Sequence, residues 1–146
     1  MRWRIVAVGK PRLAYAREGI AEYITRLRCF APHELEYVKA SDPQREGPLL
    51  LARTENCHRI VLDERGKQFT SRAFSEEIGK IELNARKTCA LIIGGASGHT
   101  QGVRNSADLL WSLSTLTLQH EMALMLALEQ MYRAHTILKN IPYHKN

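Results

Sequence analysis

Residues able to do chemistry cluster in three places along this 146-residue chain. The first is Gly94-Gly95-Ala96-Ser97-Gly98-His99, where glycines let the backbone bend sharply and approach a ligand while exposing N–H groups. It is neither the GxGxxG fingerprint nor a P-loop, because no Gly-Lys-Ser/Thr follows, and a glycine turn after a strand can equally be structural. His99 within it reads as a surface or supporting residue rather than a catalyst. The second is Leu113-Ser114-Thr115-Leu116-Thr117-Leu118, small hydroxyls set between leucines. That pattern can present backbone amides and an apolar wall to a flat heteroaromatic ring, or form an edge strand. The third is Pro142-Tyr143-His144-Lys145-Asn146, an aromatic ring, a titratable imidazole and a cation where most chains fray, with a disordered tail as the plain alternative. His120 and Arg133 flank an apolar helical run, where either can also serve as a helix-end or ion-pair residue.

The elements that must position these groups follow from periodicity. Trp3–Val8 is a β-rich run ended by Gly9-Lys10-Pro11, and Tyr15–Leu27 places Ile20, Tyr23, Ile24 and Leu27 at helical spacing. Strands are expected at Glu34–Val38, Arg59–Asp63, Thr88–Ile93 and Leu109–Leu113. Helices are expected at Leu49–Thr54, Ser71–Leu83, near Val103–Ala107 and from Gln119 to Lys139. Pro43 to Pro48 and Glu64–Lys67 read as turns. Strands alternating with helices predict an α/β fold in one domain, 1–146, with a mostly parallel sheet and helices on both faces. In such sheets ligands sit beyond the carboxyl ends of the strands, here Leu62-Asp63, Gly94-Gly95 and the loop after Leu113, so these segments make one candidate pocket. The run Met122–Leu128 is apolar without interruption and must be covered all round, most simply by a second copy of the chain.

Composition sets the class. With 21 Lys+Arg against 15 Asp+Glu, the net charge is +6, and 45% of residues are hydrophobic, as in an ordinary folded protein. Residues 1–40 carry eight of the basic groups against four acidic ones, which suits either solubility or a phosphate-rich partner. Cys29, Cys57 and Cys89 are odd in number and widely spaced, read as reduced thiols of a cytoplasmic protein. The apolar start stops at Gly9, too short for a signal peptide or membrane span. No His, Cys and Asp cluster has ligand spacing, so no metal is expected.

Taken together, Arg4–Lys10, Gly19–Tyr23, Leu62–Lys67, Ile93-Gly94-Gly95, Leu113–Leu118, His120, Glu129-Gln130-Met131-Tyr132-Arg133-Ala134 and Pro142-Tyr143-His144-Lys145 resemble the ribosomal large-subunit methyltransferase H family of the SPOUT class, over essentially the whole chain. The resemblance implies a homodimeric enzyme that moves a methyl group from S-adenosylmethionine to N3 of a pseudouridine in large-subunit (23S) rRNA, acting on the assembled ribosome. It also implies a C-terminal trefoil knot, a topology that general folding rules would exclude. By matching position, cofactor contacts fall on Leu62, Gly94 and Leu113, Ser114, Thr115, Leu116, Thr117 and Leu118. The weakly acidic N3–H calls for a base near neutrality, His144 first and His120 second. Tyr143 would position or stack on the base, and Arg133 would hold a phosphate or polarise a carbonyl. Arg12, Arg17, Arg26 and Arg28 would grip rRNA phosphates. The chain departs from the family pattern at Leu124, usually Arg, at Gln119, usually Pro, and in a shorter Pro43–Pro48 region. The competing readings are a SPOUT methyltransferase for another nucleotide and a non-catalytic RNA-binding module.

Overall fold

The computed structural model describes residues 1–84 and 88–143. Five strands, β1 (Arg2–Val8), β2 (His33–Val38), β3 (His58–Lys67), β4 (Thr88–Ile93) and β5 (Leu109–Trp111), form one sheet in the order β2-β1-β4-β3-β5, and every pairing is parallel. Between them run α1 (Ala14–Leu27), α2 (Pro43–Arg53), α3 (Ser71–Leu83) and α4 (Gln101–Asn105), with α5 (His120–Leu138) last. The central strands are apolar on both sides, as a doubly covered parallel sheet requires. Trp3, Ile5, Ile60, Leu62, Leu91 and Ile93 face α1, α3 and α5. Val6, Val8, Val61 and Ile92 alternate to the other face, where Leu50 of α2 and Val103 of α4 cover them.

Three expected boundaries are corrected. Pro43–Pro48 is no turn: it is the first half of α2, continuous with the expected Leu49–Thr54 helix. Asp42 accepts a hydrogen bond from the Arg45 N–H at 2.9 Å and Pro43 begins the first turn, both favourable helix starts. Pro48 then forfeits one backbone bond, and burial of Glu46, Gly47 and Leu50 on one face overrides that loss. Glu64–Lys67 is likewise not a simple hairpin-like turn. Leu62 and Lys67 both pair with Trp111, so Asp63–Gly66 loops out of β3 between two contacts to β5. Gly66 has to be glycine in that position, since a Cβ would lie 2.5 Å from the Leu110 carbonyl. The fifth strand ends at Trp111 rather than Leu113: the Ser112 N–H still donates to the Lys67 carbonyl at 2.9 Å, and its hydroxyl then donates to the Ser114 carbonyl at 2.9 Å as the loop begins.

The long helix matches its expected span closely. Its departure at Gln119 is a working N-cap: the side-chain oxygen accepts from the Glu121 and Met122 N–H groups at 2.9 and 3.0 Å. Leu124, the other departure, is 3% exposed and belongs to the core. Coverage of the apolar run is partial within one chain. Leu124, Ala127 and Leu128 are buried between the sheet, α1 and α3, while Leu126 stays 38% exposed and Met122 half-buried.

At the far end of α5, His135 is fully buried, stacked on Phe30 with ring centroids 5.5 Å apart. The Trp3 indole N–H donates to its Nε2 at 3.1 Å, which places the neutral ring's proton on Nδ1. Burial, with help from Lys139 and the N-terminal ammonium, pushes its pKa down to about 4. Glu82 at 3.7 Å opposes the shift but is too distant and too exposed to reverse it. The unfolded chain therefore binds the extra proton first. Stability is expected to be full above pH 6.5 and to fall as the pH drops towards 4, by at most about 3 kcal/mol. Urea unfolding at pH 7 and pH 4.5 checks this, and His135→Gln should lose that part of the slope.

Candidate active site

The carboxyl ends of β3, β4 and β5 surround a cavity of about 380 Å³. Leu62, Gly94, Leu113, Ser114, Leu116, Thr117 and Leu118 all line it, so the three segments expected to form one pocket do so. Thr115 is exposed and is the one residue of its run that does not face the cavity. His120, at the start of α5, and Ala123 one turn later close another side. Asp63 lines the cavity beside Leu62, as the strand-end rule expects, whereas sequence reasoning missed Glu64 and Arg104, which also line it. The signal available for Glu64 was its place directly after the buried end of a strand.

Local geometry explains how each wall is held. Asp63 accepts from the Arg65 N–H at 2.9 Å, starting the excursion from β3, and its other oxygen meets Arg104 Nη1 at 3.4 Å. Those two side chains are 6% and 13% exposed, and Arg104 also donates to the His99 carbonyl at 2.8 Å. One guanidinium thus ties the β3 loop to the glycine loop. Thr117 donates to Glu64 Oε2 at 3.0 Å and ties the third loop to the same excursion. Ser114 Oγ accepts from the Leu116 N–H at 3.0 Å, which sets the turn inside that loop.

The glycine loop is dictated by what packs on it. A Cβ at Gly94 would lie 3.0–3.2 Å from the His99 ring, so the imidazole sits flush against the backbone at the strand end. Gly98 has φ +77° and its N–H closes a turn onto the Gly95 carbonyl at 3.1 Å. His99 is accordingly a buried wall residue and not a surface one, held mainly neutral by burial although Asp63 lies nearby. Its Nε2 has no hydrogen-bond partner among the described residues. The cavity therefore offers leucine and isoleucine walls, two carboxylates, two guanidinium groups, three hydroxyls and one buried imidazole nitrogen. This combination suits a flat ring carrying polar and cationic substituents.

The remaining expected residues lie elsewhere. Arg133 and Tyr143 do come together, with the guanidinium 4.9 Å from the ring centroid, but neither lines the cavity. Arg133 is thirteen residues beyond His120 on the same helix, about 20 Å along its axis. His144 lies outside the described residues. Of the basic residues in the N-terminal region, Arg12, Arg17 and Arg28 are exposed, whereas Arg26 is half-buried and bonded to Glu22 at 2.7 Å. Glu121 holds the loop before α1 by accepting from the Arg12 and Leu13 N–H groups at 2.7 and 3.0 Å. Among the described residues no group of His, Cys, Asp and Glu is arranged to hold a metal, and no helix is long and apolar enough to cross a membrane. Cys57 and Cys89 are buried free thiols and Cys29 is an exposed one.

The sequence model of a family described as predicted SPOUT methyltransferases matches residues 1–144. The chain is 46% identical over 145 residues to the ribosomal RNA large subunit methyltransferase H of Thermus thermophilus, covering 99% of each chain. It is 41% identical to the Deinococcus radiodurans protein of the same name, again over 99% of each. Among solved structures, a probable methylase family protein from Haemophilus influenzae superposes with a TM-score of 0.62 at 14% identity, over 99% of this chain and 70% of that one. At that identity the likeness concerns the fold alone.

The cavity's dependence on Arg104 can be measured without any ligand. Arg104→Met leaves the Asp63 carboxylate buried without its cation, and a loss of about 3 kcal/mol is expected. Arg104→Met combined with Asp63→Leu should recover most of it. Thermal melts of the two variants against the parent decide the point.

Proposed function

Because the chain belongs to the SPOUT methyltransferase family, we propose that it transfers a methyl group from S-adenosylmethionine to N3 of a pseudouridine in large-subunit rRNA, on the assembled ribosome and as a homodimer. The observation that carries this reading is the meeting of Leu62, Gly94 and the Leu113–Leu118 loop in one cavity beyond the strand ends. Those residues fit the cofactor: leucine walls for adenine, Asp63 and Glu64 for hydroxyl and ammonium groups, and the unpartnered His99 nitrogen as an acceptor. When bound, the cofactor supplies a sulfonium whose methyl carbon is open to in-line attack by N3, leaving a neutral thioether. The C-terminal segment is read as the family's trefoil knot. Its support is β5, which contacts β3 on both sides of the Asp63–Gly66 excursion.

The protein's own task is alignment and removal of the N3 proton. His144 is assigned as the base, with His120, which lines the cavity, as its alternate; Tyr143 positions the nucleobase and Arg133 a phosphate or carbonyl. Since Tyr143 and Arg133 sit about 20 Å along α5 from His120, a second copy is assigned to bring its tail to this cavity. The exposed Leu126 and a neighbouring hollow of about 390 Å³, walled by Phe69, Leu113, Leu118 and Leu126, support a copy docking there. The place of action is then the cytoplasm, where ribosomes are and where free thiols persist.

Mass spectrometry of rRNA from cells lacking the gene should show loss of N3-methylpseudouridine, restored by the parental gene; persistence of the nucleoside sinks the proposal. In purified reactions His144→Ala is expected to slow transfer by about 10² or more with cofactor affinity, read by calorimetry, unchanged. Reversing the charge of Arg12, Arg17 and Arg28 should weaken ribosome binding and flatten its salt dependence by about one phosphate contact each, again without effect on cofactor affinity.

A further inference from the structure

The C-terminal segment does not simply run off the end of α5. Asn140 adopts φ +59° and the Ile141 N–H returns to the Thr136 carbonyl at 2.9 Å, so the chain doubles back beside its own helix. There Tyr143 meets groups from two helices. Its hydroxyl is 3.0 Å from that of Tyr23 on α1, and its ring stands edge-on to Tyr132 of α5 with centroids 4.8 Å apart. The Arg26 guanidinium lies 5.3, 5.5 and 5.8 Å from the centroids of Tyr23, Tyr132 and Tyr143, facing all three rings. Glu22 braces it through an i,i+4 pair, just as Glu129 braces Arg133, whose guanidinium also lies over the Tyr143 ring.

We propose that Tyr23, Arg26 and Tyr132 are positioning residues that form a seat for Tyr143 and thereby fix the point from which the chemical tail of the protein departs. The inference rests on the reading that Tyr143 and His144 serve methyl transfer. Its physical content is entropic and geometric. An aromatic side chain left in water samples many rotamers. A seated Tyr143 is held to one of them, and the chain leaves the seat from a fixed Cα. Cation–π contact and the hydroxyl pair supply the holding interactions, and both helices that carry them are anchored in the core by Ile20, Leu27, Leu128 and Met131. Burial and the hydrogen bond shared with Tyr23 also raise the Tyr143 pKa, so its hydroxyl stays protonated at neutral pH. None of the three seat residues lines the cavity, and each of them touches Tyr143 directly.

Two measurements on the full-length protein test the seat. In carboxypeptidase digestion followed by intact mass, the parent should resist removal of Tyr143, and Tyr23→Phe and Arg26→Gln should each lose it about fivefold faster. In methyl transfer to ribosomes, Tyr23→Phe should lower kcat about three- to tenfold with cofactor affinity and melting temperature unchanged, and should add nothing in a Tyr143→Phe background. Parental trimming rates in both variants, or losses from Tyr23→Phe and Tyr143→Phe that multiply, overturn the seat. A chain ending at Pro142 that keeps the parental transfer rate instead overturns the tail's part in the reaction. An inactive truncated chain beside fully active, normally trimmed Tyr23→Phe and Arg26→Gln proteins overturns the seat alone.

Discussion

The close approach of backbone to backbone at the carboxyl ends of β3, β4 and β5 is the constraint on which the rest depends. The excursion from β3 returns against the Leu110 carbonyl at a separation that leaves no room for a Cβ at Gly66, and the imidazole of His99 fills the space that a Cβ at Gly94 would need. With these contacts three loops from separate parts of the chain share one volume. Polar ties then hold them in register: Arg104 to Asp63 and the His99 carbonyl, and Thr117 to Glu64. Buried charge pairs of this kind add little net stability, but losing one partner is costly, which makes them effective as fixed spacers.

The second organising feature is α5, which reaches both regions assigned to chemistry. His120 at one end faces the cavity, whereas Tyr132 and Arg133 near the other meet the doubled-back tail. The rotation of the helix between them is set by Leu124, Ala127, Leu128, Met131 and Ala134, all buried against the sheet and neighbouring helices. Burying a leucine or methionine of this size is worth about 1.5–3 kcal/mol, so the helix is a stiff spacer and the two regions are held apart. This separation, rather than any missing residue, is what makes a second copy part of the proposed site.

Much of this was legible from residue order. The alternating strands and helices, the apolar core strands and the three loops at one sheet edge follow from hydrophobic period and the rule for parallel sheets, and the cavity-lining residues Leu62, Gly94 and most of Leu113–Leu118 came with them. Where reading failed, a distant part of the chain overrode a local signal. Pro43 and Pro48 look like turn residues until Asp42 caps the helix and Leu50 draws it onto the sheet. His99 reads as either a surface or a supporting residue until Gly94 takes its ring against the backbone and excludes the first.

By itself the sequence determined the α/β class, the segments that contact one another at the strand ends and the family to which the chain belongs, because periodicity and motif identity are properties of residue order. Only the tertiary structure decided that Glu64 and Arg104 join the cavity, that Leu124 is core, and that Tyr143 docks on Tyr23, Arg26 and Tyr132 instead of beside His120. The physical reason is that residue types state what a side chain can do, whereas where it does so depends on the direction and length of the helix carrying it. Those are set by packing of α5 against α1, α3 and the sheet, interactions spread over the whole chain and invisible in any one stretch of it.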